Sequence, residues 1–194
     1  RFPFYLYKTE GWDVEHIDSN CTNDLSDSAS QKEWLINVYH SVNKETQEKI
    51  VKFFNNSATA EEDRTALFDE IKTSLGPAYI PEEKGAEKKN RINNYCLLDS
   101  STNRSYGNAI FSAKRRIIIG KDQGKYLGIP QLSKDGRLEV PEATLAKSSF
   151  VPPCTKHIFM KYYSSMMSYA NYWIDKDAEG YETDIDNCLA QLEN

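Results

Sequence analysis

Residues 175–186, Asp175-Lys-Asp177-Ala-Glu179-Gly180-Tyr181-Glu-Thr183-Asp-Ile-Asp186, put carboxylates at the first, third, fifth and twelfth positions of the stretch, with glycine at the sixth. Hard cations such as calcium take about six to eight oxygen ligands, and a glycine at that place lets the chain turn sharply around the ion. Asp175, Asp177, Glu179 and Asp186 would give side-chain oxygens, and Tyr181 its carbonyl. If the four carboxylates converge they repel one another, and a bound cation relieves that repulsion.

The spacing resembles the calcium loop of an EF-hand, with two departures. Asp186 stands where the motif has a longer carboxylate able to grip with both oxygens, and Glu182 stands where an aliphatic residue pairs with a sister loop. Residues 131–142 offer a sister with Gly136, Leu138 and Glu142 in matching places. Gln131 is neutral at its first position, however, and Asp135-Gly136 reads more simply as a hairpin turn. The competing reading of 175–186 is an acidic turn capping a final helix. A second ligand-type cluster, Glu10, Asp13, Glu15, Asp18 and His16, reads as the solvated face of a loop.

Other chemistries find less support. Gly120 to Tyr126 is one residue short of a phosphate-binding loop and carries Tyr126 where a magnesium-binding hydroxyl belongs. HExxH, GxSxG and GxGxxG are all missing from the sequence. His16, His40 and His157 could form an acid–base pair of the kind a hydrolase uses, but structural or surface roles are the simpler reading. Lys114-Arg115-Arg116 beside Ile117–Ile119 reads as the charged entry of a strand. Tyr162, Tyr163, Tyr169, Tyr172 and Trp173 crowd one stretch near the C-terminal end, with Tyr5 and Tyr7 near the other. An apolar ring with a polar tip suits a recognition surface or a pocket between helices.

Four cysteines, Cys21, Cys96, Cys154 and Cys188, are widely spaced and form no CxxC pair. That pattern suits structural disulfides in an oxidising compartment. The triplets beginning at Asn20, Asn55 and Asn103 match the N-glycosylation acceptor pattern. The chain opens on Arg1 without methionine, as a processed secreted protein would. Secretion is therefore the expected localisation. The net charge of −5 and pI near 5.3 argue against a nucleic-acid partner. No apolar run is long enough to span a membrane.

These residues need elements to position them. The length suits a single domain over 1–194. Residues 1–8 alternate as a short extended segment, and Thr9 to Ser30 reads as a loop pinned by Trp12 and Val14. A helical part occupies about 28–76, with helices capped by Ser30, Asn43 and the Thr59–Glu62 capping box, the last stopped by Gly76-Pro77. A charged linker spans about 81–94. Short apolar runs at 95–98, 108–111, 116–119, 125–129 and 137–140 read as a β-rich part over about 95–140. Residues 141–149 could form a short helix. The C-terminal helical part, about 154–194, holds a long helix from Cys154 to Ile174 whose Ile158, Tyr162, Met166, Tyr169 and Trp173 recur every three or four residues. Cys188 would then fold back along it, suggesting the pairs Cys154–Cys188 and Cys21–Cys96 among the three possible connectivities.

The expected fold is α+β and mainly helical, with three N-terminal helices and a long C-terminal helix around a small antiparallel meander; all-α is the alternative. The expected function is a secreted, disulfide-stabilised, glycosylated, non-enzymatic binding protein acting on a partner protein or a small ligand. The alternatives are an extracellular calcium-binding module and a secreted hydrolase.

Overall fold

The computed structural model describes residues 4–9, 11–18, 25, 27–55, 61–75, 86–100, 102, 109–126, 128–142, 144–145, 150–162 and 172–192. Over these residues the chain is a mainly helical α+β fold in which short antiparallel strand pairs lie among the helices.

The helical part forms as its caps and periodicity dictate. Helix α1 covers Phe4–Thr9, a stretch whose alternation had suggested extended chain. Helix α2, Ser28–Val38, starts from Asp27, whose carboxylate accepts the amides of Ala29 and Ser30 at 2.8 and 2.9 Å. The cap thus sits three positions ahead of Ser30, because a carboxylate satisfies two orphan amides at once. A 3-10 turn, Tyr39–Ser41, leads to Asn43, which accepts the Thr46 amide at 2.9 Å and caps α3, Lys44–Asn55. Helix α4 is Glu61–Leu75; Thr59 and the Gly76-Pro77 stop lie outside the described residues. Trp34, Leu35, Val38, Ile50, Phe53, Phe54, Phe68 and Ile71 turn inward to make one hydrophobic core.

Within the expected charged linker 81–94, residues 86–94 are structured, although Lys88, Asn90, Arg91 and Ile92 are exposed. The segment forms α5, Ala86–Lys89, and a 3-10 turn, Ile92–Asn94, in which Lys89, Asn93 and Asn94 are buried. The Asn94 amide group donates to the carbonyls of Lys89 (2.9 Å) and Asp18 (3.2 Å), and its oxygen accepts the Asp18 amide at 2.8 Å. A buried polar side chain that satisfies three backbone groups is an anchor.

Strand β1, Trp12–His16, pairs antiparallel with β2, Tyr95–Asp99, with Trp12 opposite Asp99, Val14 opposite Leu97 and His16 opposite Tyr95. The acidic loop expected there is a strand. Of the five strands expected in the middle, the one at 116–119 is instead part of a helix, α6, Phe111–Asp122, and Ala109 and Ile110 of the one at 108–111 lead into that helix. The β-branched run Ile117–Ile119 suggested a strand, but burial on a helix outweighs that local preference. Strand β3, Lys125–Tyr126, pairs with β6, Thr144–Leu145, where a short helix had been expected; β4, Gln131–Leu132, pairs with β5, Leu138–Glu139. The expected hairpin at Asp135-Gly136 is present. Ser133 and Arg137 close it, and Gly136 takes the left-handed conformation, φ 75°, that such a turn requires.

Helix α7 is Pro153–Met160 and α8 is Asp175–Ala190. The long helix expected from 154 to 174 therefore stops at Lys161, which adopts φ 54° and closes α7, with the Lys161 amide donating to the Ile158 carbonyl and the Tyr162 amide to the His157 carbonyl. Residues 163–171 lie outside the described residues. The second core gathers Cys96 and Leu98 of β2, Phe111, Ala113, Ile117 and Ile118 of α6, Ile158 and Phe159 of α7, with Ile17, Val151 and Trp173. Ile110, just ahead of α6, packs against both cores. No described helix is long and apolar enough to cross a membrane.

Gly120 marks where α6 and the chain after it press closest. A Cβ at Gly120 would collide with the backbone carbonyl of Lys125, an atom that moves only if β3 moves. Gly120→Ala is expected to destabilise by about 1–3 kcal/mol and to lower the melting temperature by roughly 2–4 °C per kcal/mol. Calorimetry on the variant reads this directly.

Candidate recognition surface

The acidic stretch is a helix. Residues 175–186 are the first three turns of α8, and a helix cannot fold its own side chains around one ion. Asp177 points about 200° around the axis from Asp175, and Asp186 lies about 16 Å further along it. The five expected ligands, Asp175, Asp177, Glu179, Tyr181 and Asp186, are thus not brought together. The second cluster is also split. Asp13 and Glu15 alternate with Val14 and His16 along β1, so they lie on opposite faces, and Glu10 lies outside the described residues. Among the described residues no group of three or more His, Cys, Asp or Glu is placed to hold a metal.

What the acidic stretch does instead is bury one charge pair. The side chains of Asp177 and Lys161 are 0% and 1% exposed, with Lys161 Nζ 2.7 Å from Asp177 Oδ2. The same carboxylate oxygen accepts the Ile174 amide at 2.9 Å, which makes it the first-turn anchor of α8. Burial pulls the Lys161 ammonium below the usual lysine range, opposed by its bond to Asp177. The ammonium also sits 5.5 Å from the centre of the Phe111 ring.

The basic run is a second device of the same kind. Lys114, expected at a strand's charged entry, is buried on α6 and donates to Glu15 at 2.8 Å and to the His16 carbonyl at 2.6 Å. Arg115 donates to the Phe159 carbonyl at 2.8 Å, joining α6 to α7. The histidines serve separate places. His16 contacts Asn90 and the Tyr95 ring, and His157 lies against Tyr162. His40 contacts the Gly128 carbonyl at 3.2 Å, and burial, then the Arg116 charge, push its pKa down.

Of the C-terminal aromatics expected to form a surface, the described ones lie in different settings. Trp173 enters the core beside Phe111 and Tyr181, Tyr172 is half-buried, Tyr162 is exposed, and Tyr163 and Tyr169 lie outside the described residues. Of the cysteines, Cys188 lies on α8, in the final helix that makes a return to Cys154 harder, Cys96, Cys154 and Cys188 are thiols, and Cys21 lies outside the described residues.

A different surface emerges from the β1–β2 register. Cys96 and Leu98 of β2 face the core, so period-2 alternation sends Tyr95, Leu97 and Asp99 outward beside His16, Val14 and Trp12. Val14 stays 60% exposed opposite Leu97. At one end, Phe150 stacks on the Trp12 indole at 5.7 Å and 4°, and Tyr7 of α1 meets it edge-on at 6.4 Å. These two rings shield Trp12 from solvent while each remains 41% exposed. At the other end, the His16 ring leans on Tyr95 at 4.7 Å. The outer face thus carries a largely apolar and aromatic strip, interrupted at the Trp12 end by the buried Asp99 carboxylate. Trp12 and Val14 had been expected to pin a loop to the core; Val14 instead faces solvent. The alternation of Trp12, Val14 and His16 was the available signal, obscured by the acidic residues between them.

Elsewhere, α3 and α4 enclose a groove of about 450 Å³ lined by Phe53, Ala66 and Leu67 but also by Lys52, Asp63, Arg64 and Glu70. Its charged lining contrasts with the outer face of the ribbon. No protein-family model, curated protein or solved structure matches the chain.

Two outcomes follow from this geometry. Asp177→Ala strands a buried ammonium and should destabilise by about 3–5 kcal/mol. Asp175→Ala, at a side chain that is 63% exposed and meets Lys88 at 3.6 Å, should change stability by no more than about 0.5 kcal/mol. Millimolar calcium and chelator should leave both melting curves, and that of the wild type, unmoved. For His40, a pKa lowered from 6.5 means that the unfolded chain takes the proton first as pH falls. Its contribution is therefore intact above that pH and is lost as pH drops from 6.5 towards the lowered folded value. His40→Asn should flatten the decline of melting temperature below that pH, compared with wild type.

Proposed function

We propose that this chain is a secreted, disulfide-stabilised, glycosylated binding protein that engages a partner protein through the outer face of the β1–β2 ribbon. The observation that carries this reading is the exposed Val14 beside Leu97, flanked by Phe150 and Tyr7 stacked around Trp12. Exposed apolar surface of this kind is characteristic of a contact face, and aromatic residues dominate the energetic centres of such contacts. The rings are held rigid by one another, which lowers the ordering cost on binding.

A protein partner is favoured over a small ligand because the strip is laid along a sheet face rather than sunk in an enclosed pocket. Secretion rests on the cysteine spacing and the acceptor triplets. Asn55 supports it further, since it ends α3 in an exposed position; Asn20 and Asn103 lie outside the described residues. The calcium-binding alternative is set aside because its loop is a helix. A hydrolase would need a nucleophile or a base in a cleft, and the three histidines sit at separate, locally partnered places.

Selection of a random displayed-peptide library on the immobilised protein tests the reading. Selected peptides should lose roughly 30-fold or more in affinity on Val14→Asp and on Phe150→Ser, the loss a contact hot spot of about 2 kcal/mol implies. Val14→Asp should melt within a few degrees of wild type, as exposed substitutions do, while Phe150→Ser, which uncovers Trp12, should melt lower but still in one cooperative transition. Peptides that ignore these changes but fail on Leu67→Asp would move the site to the groove between α3 and α4.

A further inference from the structure

Cys96 and Cys154 lie on elements that are clamped together at the residues beside them. The Thr155 hydroxyl, fully buried, donates to the Leu97 carbonyl at 2.6 Å, which ties the first turn of α7 to the middle of β2. On the other side of Cys96, the Tyr181 hydroxyl donates to the Tyr95 carbonyl at 3.3 Å. Tyr181 is also close enough to both cysteines to feel them: burial raises its phenol pKa first, and Cys154 and then Cys96 add to the rise. Cys154 likewise acts on Cys96, whose thiol is held up chiefly by burial. Cys188, by contrast, lies seven residues past Tyr181 on α8, which is about 10 Å further along the axis. It is exposed there, and a disulfide needs Cα atoms within about 7 Å.

We propose that Cys96 and Cys154 form a disulfide in the oxidised protein, replacing the pairing of Cys154 with Cys188 that the order of cysteines in the sequence suggests. The structure holds the dithiol form. Cys154 is exposed and reacts first. Its thiolate attacks one sulfur of a low-molecular-weight disulfide, such as oxidised glutathione, and expels one thiolate to leave a mixed disulfide. Movement of the Cys154 side chain and of the first turn of α7 towards β2 must then bring the two sulfurs, which are not at disulfide distance in the dithiol form, into contact, and the deprotonated Cys96 displaces the second thiolate. Two protein thiols and one small disulfide thus become one protein disulfide and two small thiols. The bond closes the chain between β2 and α7, so α6, the helix lying between them in sequence, would be enclosed within the covalent loop.

The test is oxidation of the full chain in a glutathione buffer, alkylation of remaining thiols, enzymatic removal of any N-glycans, and tryptic mapping without reduction. Cleavage after Arg91, Arg104, Lys147 and Lys156 places Cys96 in peptide 92–104 and Cys154 in peptide 148–156. The expected result is a species joining these two peptides, and a melting temperature higher than that of the reduced protein by about 10 °C. The double variant Cys21→Ser/Cys188→Ser should form the same species. A linkage of Cys154 to Cys21 or Cys188, or of Cys96 to either, would overturn the pairing. So would recovery of both thiols alkylated in the folded double variant. Because that variant keeps both proposed partners, misfolding of a Cys96 or Cys154 mutant cannot mask the answer.

Discussion

The side chain of Lys114 is buried on α6 against β1, and the arrangement around it depends on that burial. An unpaired charge there would be prohibitive, so the ammonium must be met by the Glu15 carboxylate and the His16 carbonyl. Meeting both fixes β1 against α6 with Glu15 inward. Because strand side chains alternate, Trp12, Val14 and His16 must then face outward. The aromatic strip proposed for recognition is, on this account, the opposite face of a buried ion pair. A one-residue slip would send Val14 towards the ammonium and expose Glu15.

Helix α6 repeats this logic along its length. Ser41 donates to Ser112 at 3.0 Å, Arg115 reaches the Phe159 carbonyl, and Lys121 donates to Thr102 at 3.0 Å, a residue itself held by Asp99. Its apolar residues fill the second core, while Ile110 ahead of it touches both cores. The Lys161–Asp177 pair is a parallel device at the C-terminal end. It anchors the first turn of α8, and it holds a non-glycine residue in a left-handed conformation that disfavours most side chains.

The parts of the fold legible from sequence were those governed by local chemistry. Asn43 as a cap, the inward faces of α2 to α4, the Asp135-Gly136 hairpin and the strand at Tyr95 follow from propensity, periodicity and turn residues within a few positions. What was not legible depends on distant partners. Lys114-Arg115-Arg116 becomes helix because Glu15 and Phe159 lie 99 and 44 residues away to satisfy its charges. Asp175 to Asp186 has the composition of a cation loop, yet it is helix with Asp177 paired to a lysine 16 residues earlier. The candidate surface was hidden for the same reason: β1 finds its partner in β2, and nothing near Val14 in sequence announces Leu97.

A double-mutant cycle on Lys114→Met and Glu15→Leu, read by equilibrium unfolding and by hydrogen exchange of the β1 amides, tests the central claim most directly. The account predicts that each single change costs about 3–5 kcal/mol, because it strands a charge or leaves its partner unpaired, and that the double variant recovers much of that loss. Exchange in β1 should accelerate in the single variants ahead of exchange in α3. A coupling energy below about 0.5 kcal/mol, typical of an exposed pair, would contradict the account, as would β1 protection that ignores both substitutions.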